Sequence, residues 1–461
     1  MRKIIFLLLF FVACSPNYYE KIIKTENYFY KASFQDALNE IVPLVKDSSA
    51  KDRLLYLMEA GIILHTMGEY KKSIKVFEEA DYIAETIKTS ISKEALSFFL
   101  SDRESNFKGE NFERVLIKFY IALNYVMLGD YERAKQYFKK LDFDLKWMKY
   151  TDDKYKQNLA ARYIDAIISE YLGRYNDARA QYKNIAMLDP ENKNILGDFY
   201  VLALKESDTE DILKYQEGKK YVKAFNLNLE PVEYTPEMGE LVIIYEAGKS
   251  AIKKSRGRLL NDEEFAVALR AAIEMALIAE GAALSTTAVM AMIGTAENPI
   301  PIYVKRDTQL ENPIRILINN KFITETLIMN DYSETAIRNF NDNYSQYIAK
   351  NVASIATKIV IAAIAADKAS KEIEKSTGSN PFARVLLGAV AGKGVAETIK
   401  PDLRCWHLLP SNFQISRIFL QPGEYKFNIE FKNNINPLLS NIPFKIKIEP
   451  KKITFLNFRS I

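Results

Sequence analysis

Cysteine and histidine are nearly absent: two of each in 461 residues, Cys14 and Cys405, His65 and His407. One free cysteine and two distant histidines cannot complete a tetrahedral zinc site, so no metal or cofactor is expected. The same scarcity argues against catalysis. Asp402, Cys405 and His407 share one short stretch, but residues two apart on a strand lack the independent positioning that a nucleophile and its base need. Neither sign of charge dominates, with 63 Lys and Arg against 59 Asp and Glu. The charges are interspersed, which leaves no basic field for nucleic acid. "GAVAGKG", Gly388 to Gly394, lacks the Gly-Lys-Ser/Thr ending of a phosphate loop and lies in a helical stretch, where close packing accounts for its glycines. No catalytic residue is assigned, and the chain reads as a binder.

What is present starts with a leader. Arg2 and Lys3 precede the apolar run Ile4 to Ala13, too short for a permanent span but suited to a secretory signal over residues 1–13. Ser15, Pro16 and Asn17 follow Cys14 and break any continuing helix. A small residue directly before a cysteine at this point resembles a lipobox, which implies that Cys14 is acylated, with palmitate among its chains, and becomes the mature N-terminus. Ser15 in place of Asp favours sorting to the outer membrane. Cys405 then has no partner, so the mature chain has no intramolecular disulfide. Its stability must come from burial, for which the chain is long enough.

The first half repeats one pattern: Gly, a polar residue, an aromatic, a small residue three positions on, and another aromatic four later. Gly68, Tyr70, Ser73, Phe77 and Ala80 form one copy; Gly129, Tyr131, Ala134, Phe138 and Leu141 form the second. Gly173, Tyr175, Ala178, Tyr182 and Ile185 form the third, which ends at Asp189-Pro190. Gly61 and Leu64 occupy first-helix positions of the Gly68 copy, and a weaker copy carries Phe34, Ala37, Ile41 and Leu44. The pattern resembles the tetratricopeptide repeat. Glycine ends each first helix in a left-handed conformation, the small residue lets two helices approach, and the later aromatic fills the gap to the next repeat. Such arrays use a concave surface to hold peptides or proteins.

The period changes near Glu230-Pro231. "GELVIIYE", Gly239 to Glu246, reads as a buried strand, apolar on both sides. "PIPIYVK", "IRILINNKFITETLI" with a turn at Asn319-Asn320, and "DLRCWHLL" read as further strands. The terminal stretches, alternating around Pro422-Gly423 and Pro450-Lys451, read as antiparallel hairpins. Trp406 is expected in the core, and Arg404, placed on the same face, needs a polar partner or an exit to solvent. Ala-rich helical stretches run over 264–293, 351–366 and 382–397. Arg270, Glu274 and Glu280 interrupt the first, which marks it as packed rather than membrane-spanning.

The expected fold is α+β: a tetratricopeptide-like solenoid over 14–230, then an α+β domain over 231–461 with an antiparallel or mixed sheet, Ala-rich helices and C-terminal hairpins. The segments Gly109 to Ala134, Gly239 to Gly248 and Asp402 to Tyr425 together resemble a family of uncharacterised bacterial lipoproteins that combine such helices with a strand-rich C-terminal region. The resemblance implies an envelope role, anchored to the membrane through lipid and facing the periplasm or the cell surface. Partners would be other envelope proteins or lipoproteins, bound through the repeat surface. The alternative is a surface lipoprotein that binds an extracellular or host ligand.

Overall fold

The computed structural model describes residues 18–460 except 48, 91–104, 148–157, 307, 378–380 and 432–443. Cys14 lies outside the described residues. The first half is a row of antiparallel helical hairpins: α1 (Tyr18–Phe29) with α2 (Phe34–Lys46), and α3 (Arg53–Thr66) with α4 (Tyr70–Ser90). Next come α5 (Asn111–Met127) with α6 (Tyr131–Trp147), then α7 (Leu159–Tyr171) with α8 (Tyr175–Leu188). Helices α9 (Asn194–Glu206) and α10 (Thr209–Lys214) close the row.

The repeat residues explain the hairpins. Gly68, Gly129 and Gly173 end α3, α5 and α7 with φ of +76°, +74° and +70°, a backbone state that glycine adopts without the strain a Cβ would bring. Ser73, Ala134 and Ala178 are fully buried on the second helices, as are Phe77 and Tyr182. Gly61 admits the Phe77 ring: a Cβ there would stand 2.5 Å from it. Tyr70, Tyr131 and Tyr175 are half-buried at the hairpin turns, and Pro190 is exposed just after α8.

The second half continues with β1 (Ala224–Phe225), β2 (Gly239–Ala247), β3 (Lys249–Lys254), α11 (Glu263–Ala279), α12 (Thr286–Ala291) and β4 (Ile302–Arg306). Strands β5 (Arg315–Ile318), β6 (Lys321–Glu325) and β7 (Leu327–Asp331) follow, then α13 (Tyr332–Asp342), α14 (Tyr344–Thr377) and α15 (Pro381–Thr398). The chain ends with β8 (Asn412–Leu420), β9 (Gly423–Glu430), β10 (Phe444–Ile448) and β11 (Ile453–Arg459). One sheet runs β1-β8-β2-β11 with β7 also on β8, and a second runs β10-β9-β5-β6. β3 pairs with β4 alone. The first sheet therefore reaches back to Ala224, ahead of the expected start of the α+β region at 231.

The hairpins expected at Pro422-Gly423 and Pro450-Lys451 are not formed, although the consecutive strands β9 and β10 do pair antiparallel. β8 pairs with β2 in one sheet while β9 pairs with β5 and β10 in the other, so the chain changes sheets at Gln421-Pro422. It changes back around Pro450, since β11 lies parallel to β2. The two sheets enclose a core of Leu241, Ile243, Tyr245, Ile418, Phe427 and Ile448. Only the Asn319-Asn320 turn closes a tight hairpin as expected, with both residues at positive φ.

"DLRCWHLL" belongs to no strand and turns at His407-Leu408; its main-chain groups bond elsewhere, as described below. The first Ala-rich stretch is two helices, broken at Gly281 (φ +60°). α11 buries one stripe, Phe265, Leu269, Ile273 and Leu277, and turns Arg270 and Glu274 outward. Among the described residues one helix, Tyr344–Lys375, is long and apolar enough to cross a membrane; it packs against α11 and α15. Of the "GAVAGKG" glycines only Gly392 is close-packed, against Met292; Gly388 and Gly394 have open space around them.

Candidate functional site

The inner face of the helical row is the surface expected to bind partners, and its first helices are built for contact. α3 is buried at every position from Leu54 to His65, α5 from Phe112 to Val126 except the half-buried Arg114, and α7 from Leu159 to Glu170. A helix hydrophobic on one stripe needs one neighbour; a helix buried all round needs two. The second neighbour is the chain's own C-terminal half. β2 turns Leu241, Ile243 and Tyr245 into the sandwich and Val242 and Ile244 toward the repeats. Phe413 of β8 meets Phe119 of α5 at 4.9 Å between ring centroids, and burying a ring of that size contributes about 1.5–3 kcal/mol.

The groove itself holds residues 402–411. Glu113 accepts the Trp406 N–H at 2.8 Å, and Glu59 accepts the His407 and Leu408 N–H groups at 2.7 and 3.0 Å. Two glutamate carboxyl groups from successive hairpins thus replace a strand partner for three consecutive amides. Arg404 reaches Asp52 at 2.7 Å and closes on Asp402, which is the polar partner its position demands. Trp406, 1% exposed, packs against the stacked Phe77–Tyr120 pair, 5.9 Å from each ring. The groove grips this segment as repeat arrays grip a foreign peptide.

Burial pushes the Glu59 carboxyl up to about 8 although Tyr18 and the two amides donate to it, and it pushes Glu113 up to about 7. Burial also raises the Cys405 thiol to about 12, with Glu113 adding to the effect, so the thiol stays protonated at neutral pH. His407 Nδ1 faces Glu26 at 3.1 Å, and the Arg404 guanidinium holds Asp402. The three residues that cluster in sequence are therefore engaged separately. Among the described residues no group of His, Cys, Asp and Glu is arranged to hold a metal ion.

Two buried charged knots join the halves, and neither was visible in the sequence. Arg417 of β8 donates to Glu240 at 2.7 Å, Glu170 at 2.6 Å, Asp198 at 2.9 Å and the Tyr182 hydroxyl at 2.9 Å. Lys205 adds a second cation, 2.6 Å from Glu170. Burial opposes ionisation of Glu170, yet Arg417 and Lys205 hold its carboxyl well below the usual range. Asp198, the surplus anion, is raised to about 6 by burial. In the second knot Glu246 of β2 meets His65 at 2.8 Å, Tyr120 at 2.7 Å and Asn457 at 2.8 Å. Glu240 and Glu246 share the repeat-facing side of β2.

The outer helices differ. α8 buries only Ala178, Tyr182 and Ile185. Fourteen positions after each repeat glycine stands a large exposed side chain: Tyr82 at 72%, Phe143 at 61% and Met187 at 74%. The repeat register thus carries an outward apolar ladder across three hairpins.

Residues 55–87 match the tetratricopeptide repeat family. No curated protein matches the chain. Among solved structures, kinesin light chain TPR-like repeats from Podosopora anserina are similar at 12% identity, over 43% of this chain and 90% of their own, with a TM-score of 0.32. A Rap protein complexed with Competence and Sporulation Factor is similar at 16% identity, over 44% of this chain and 53% of its own, with a TM-score of 0.29.

Proposed function

We propose that this protein is a non-catalytic interaction scaffold of the bacterial envelope, anchored in the outer membrane through acylated Cys14 and facing the periplasm. One observation carries the scaffold reading: tetratricopeptide hairpins whose inner groove is filled by the chain's own segment 402–411 still expose a register-matched ladder of Tyr82, Phe143 and Met187. Partners therefore dock on the outer helices α4, α6 and α8. Exposed Lys139 and Lys183 stand one helical turn before Phe143 and Met187, and exposed Glu78 before Tyr82, so the fitting partner presents apolar anchors with acidic neighbours at the second and third rungs only. The leader and Cys14 support the anchor.

The test is crosslinking in intact membranes, comparing the natural chain with a Tyr82→Lys, Phe143→Lys, Met187→Lys triple variant. The same crosslinked proteins are expected to disappear from the triple variant while its melting curve is unchanged. An unaltered crosslinking pattern would rule the ladder out. Cys14→Ser is expected to leave the protein unprocessed or to release it from membranes, because a multiply acylated cysteine anchors stably; normal processing with membrane fractionation would remove the anchor from the account. Protease treatment of intact cells separates periplasmic exposure from the alternative, a surface lipoprotein binding an extracellular or host ligand.

A further inference from the structure

The first sheet ends at β11, which pairs with β2 and with no other strand among the described residues. Its ladder shows which main-chain groups are engaged. Glu240 N–H donates to Lys452 O at 2.9 Å, and Ser460 N–H donates to Glu246 O at 3.0 Å. In a parallel ladder these two bonds set the parity: the even-numbered residues of β11 turn their N–H and C=O toward β2. The main-chain groups of Ile453, Phe455 and Asn457 therefore point off the sheet, and they have no hydrogen-bond partner among the described residues. Exposure agrees. Every residue of β2 and β8 is buried, whereas Ile453 to Phe458 are all only half-buried.

An open edge normally carries a guard against strand addition. On the second sheet Lys321 and Glu325 guard β6, and exposed Lys445 and Lys447 guard β10. From Ile453 to Phe458 there is no charge, no proline and no bulge. This edge also lies in a slot. On the repeat side Tyr131 stands 6.0 Å from the Phe455 ring; on the sandwich side Phe444, 38% exposed, stands 6.2 Å from Phe458. Toward the C-terminal end of β11 a cavity of about 230 Å³ is lined by Tyr70 from the repeats, Phe431 just after β9, and both Asn457 and Phe458. Successive side chains lie on opposite faces of a strand, so a cavity touching both of the last two sits beside the edge.

We infer that β11 accepts an extended segment of a partner protein as the next strand of the first sheet. The segment's main chain pairs with Ile453, Phe455 and Asn457, and its side chains alternate between the tyrosine wall and the phenylalanine wall. The fitting sequence is uncharged and carries large apolar residues, one of which fills the cavity. Walls on both faces admit a single chain and obstruct the edge of a second folded sheet, which makes a partner segment, not a second copy, the occupant. The site is separate from the outer ladder and does not depend on the lipid anchor.

Hydrogen exchange and peptide binding on the purified full chain test this. In the free chain the amides of Phe455 and Asn457 are expected to exchange fast, and those of Leu456 and Phe458, bonded to β2, slowly. The probe is a fluorescent, capped octapeptide of alternating threonine and phenylalanine; its fully N-methylated counterpart keeps the side chains but cannot pair. The first peptide is expected to bind saturably and to protect the Phe455 and Asn457 amides, and the second to do neither. Ile453→Pro removes one outward N–H without touching the β2 ladder, and is expected to weaken the peptide about fivefold or more. Slow exchange of Phe455 and Asn457 in the free chain, no saturable binding, equal binding of the N-methylated peptide, or binding without protection of the two amides each overturns the proposal. Unchanged affinity in a folded Ile453→Pro does so too; if that variant does not fold, amide protection in the natural chain decides. A dimer in sedimentation that Ile453→Pro dissolves would assign the edge to a second copy and equally overturn it.

Discussion

The first and second helices of each hairpin have the same ancestry in the repeat pattern but opposite fates. α3, α5 and α7 are enclosed between their partner helices and the first sheet, whereas α8 keeps a single buried stripe of Ala178, Tyr182 and Ile185. Polar chemistry follows the same division. Glu59, Glu113 and Glu170 sit on enclosed first helices, and each is committed to a group of the C-terminal half. On the outer helices the large side chains at the repeating position, Tyr82, Phe143 and Met187, point to solvent. A repeat array can thus close its inner face on its own chain and leave its outer face exposed.

The largest effect that would break this contrast lies at the inner seam. Arg417→Gln should cost about 3–5 kcal/mol, because it strands the carboxylates of Glu170 and Glu240 in a buried site. Urea denaturation measures it; a loss below 1 kcal/mol would mean the seam is hydrated and not integral. Next come Ala134→Leu and Ala178→Leu, both at fully buried contacts between hairpin helices. Each should lose about 1–3 kcal/mol through overpacking, and an unchanged melting curve would refute the repeat register.

The seam should also respond to pH. Glu59 and Glu113 stay protonated in the folded chain up to about 8 and 7, whereas unfolded they release protons near 4.5. Their contribution is complete below that lower value and fades as pH rises through the folded values. Glu26, Glu246 and Asp402 act in the opposite sense. Burial opposes their ionisation, but His407, His65 and Arg404 respectively hold them low, so their contribution is lost as pH falls below the usual carboxylate range. Stability should therefore peak at mildly acidic pH and decline toward pH 8. Glu59→Gln should flatten the alkaline limb, and a denaturation series over pH 4 to 9 showing an alkaline limb of the same slope in that variant would reject this assignment. The smallest stability effect sharpens the contrast from outside: Tyr82→Lys, Phe143→Lys and Met187→Lys should each fall within about 0.5 kcal/mol of the natural chain in calorimetry.

The repeat register was legible because it is local. Gly68, Gly129 and Gly173 must adopt positive φ wherever the chain goes, and Ser73, Ala134 and Ala178 must be small because two helices touch there. The two-sided burial of Gly239 to Glu246 followed from its unbroken apolar run. Pairing was not legible at Pro422 or Pro450. A short Pro-containing link between alternating segments fits a hairpin and a crossing between stacked sheets equally well, and only the cores on either side choose.

By itself, then, the sequence determined the helical hairpins, the residues at their contacts and the existence of a strand needing cover on both faces, since each depends on periods of a few residues. Tertiary structure alone decided what supplies that cover. Glu59 lies 348 positions from His407 and Glu170 247 from Arg417, and no local period encodes such distances. The groove closed on segment 402–411 because three amides left without a strand partner, and carboxylates left without water, satisfy one another only when both halves are assembled.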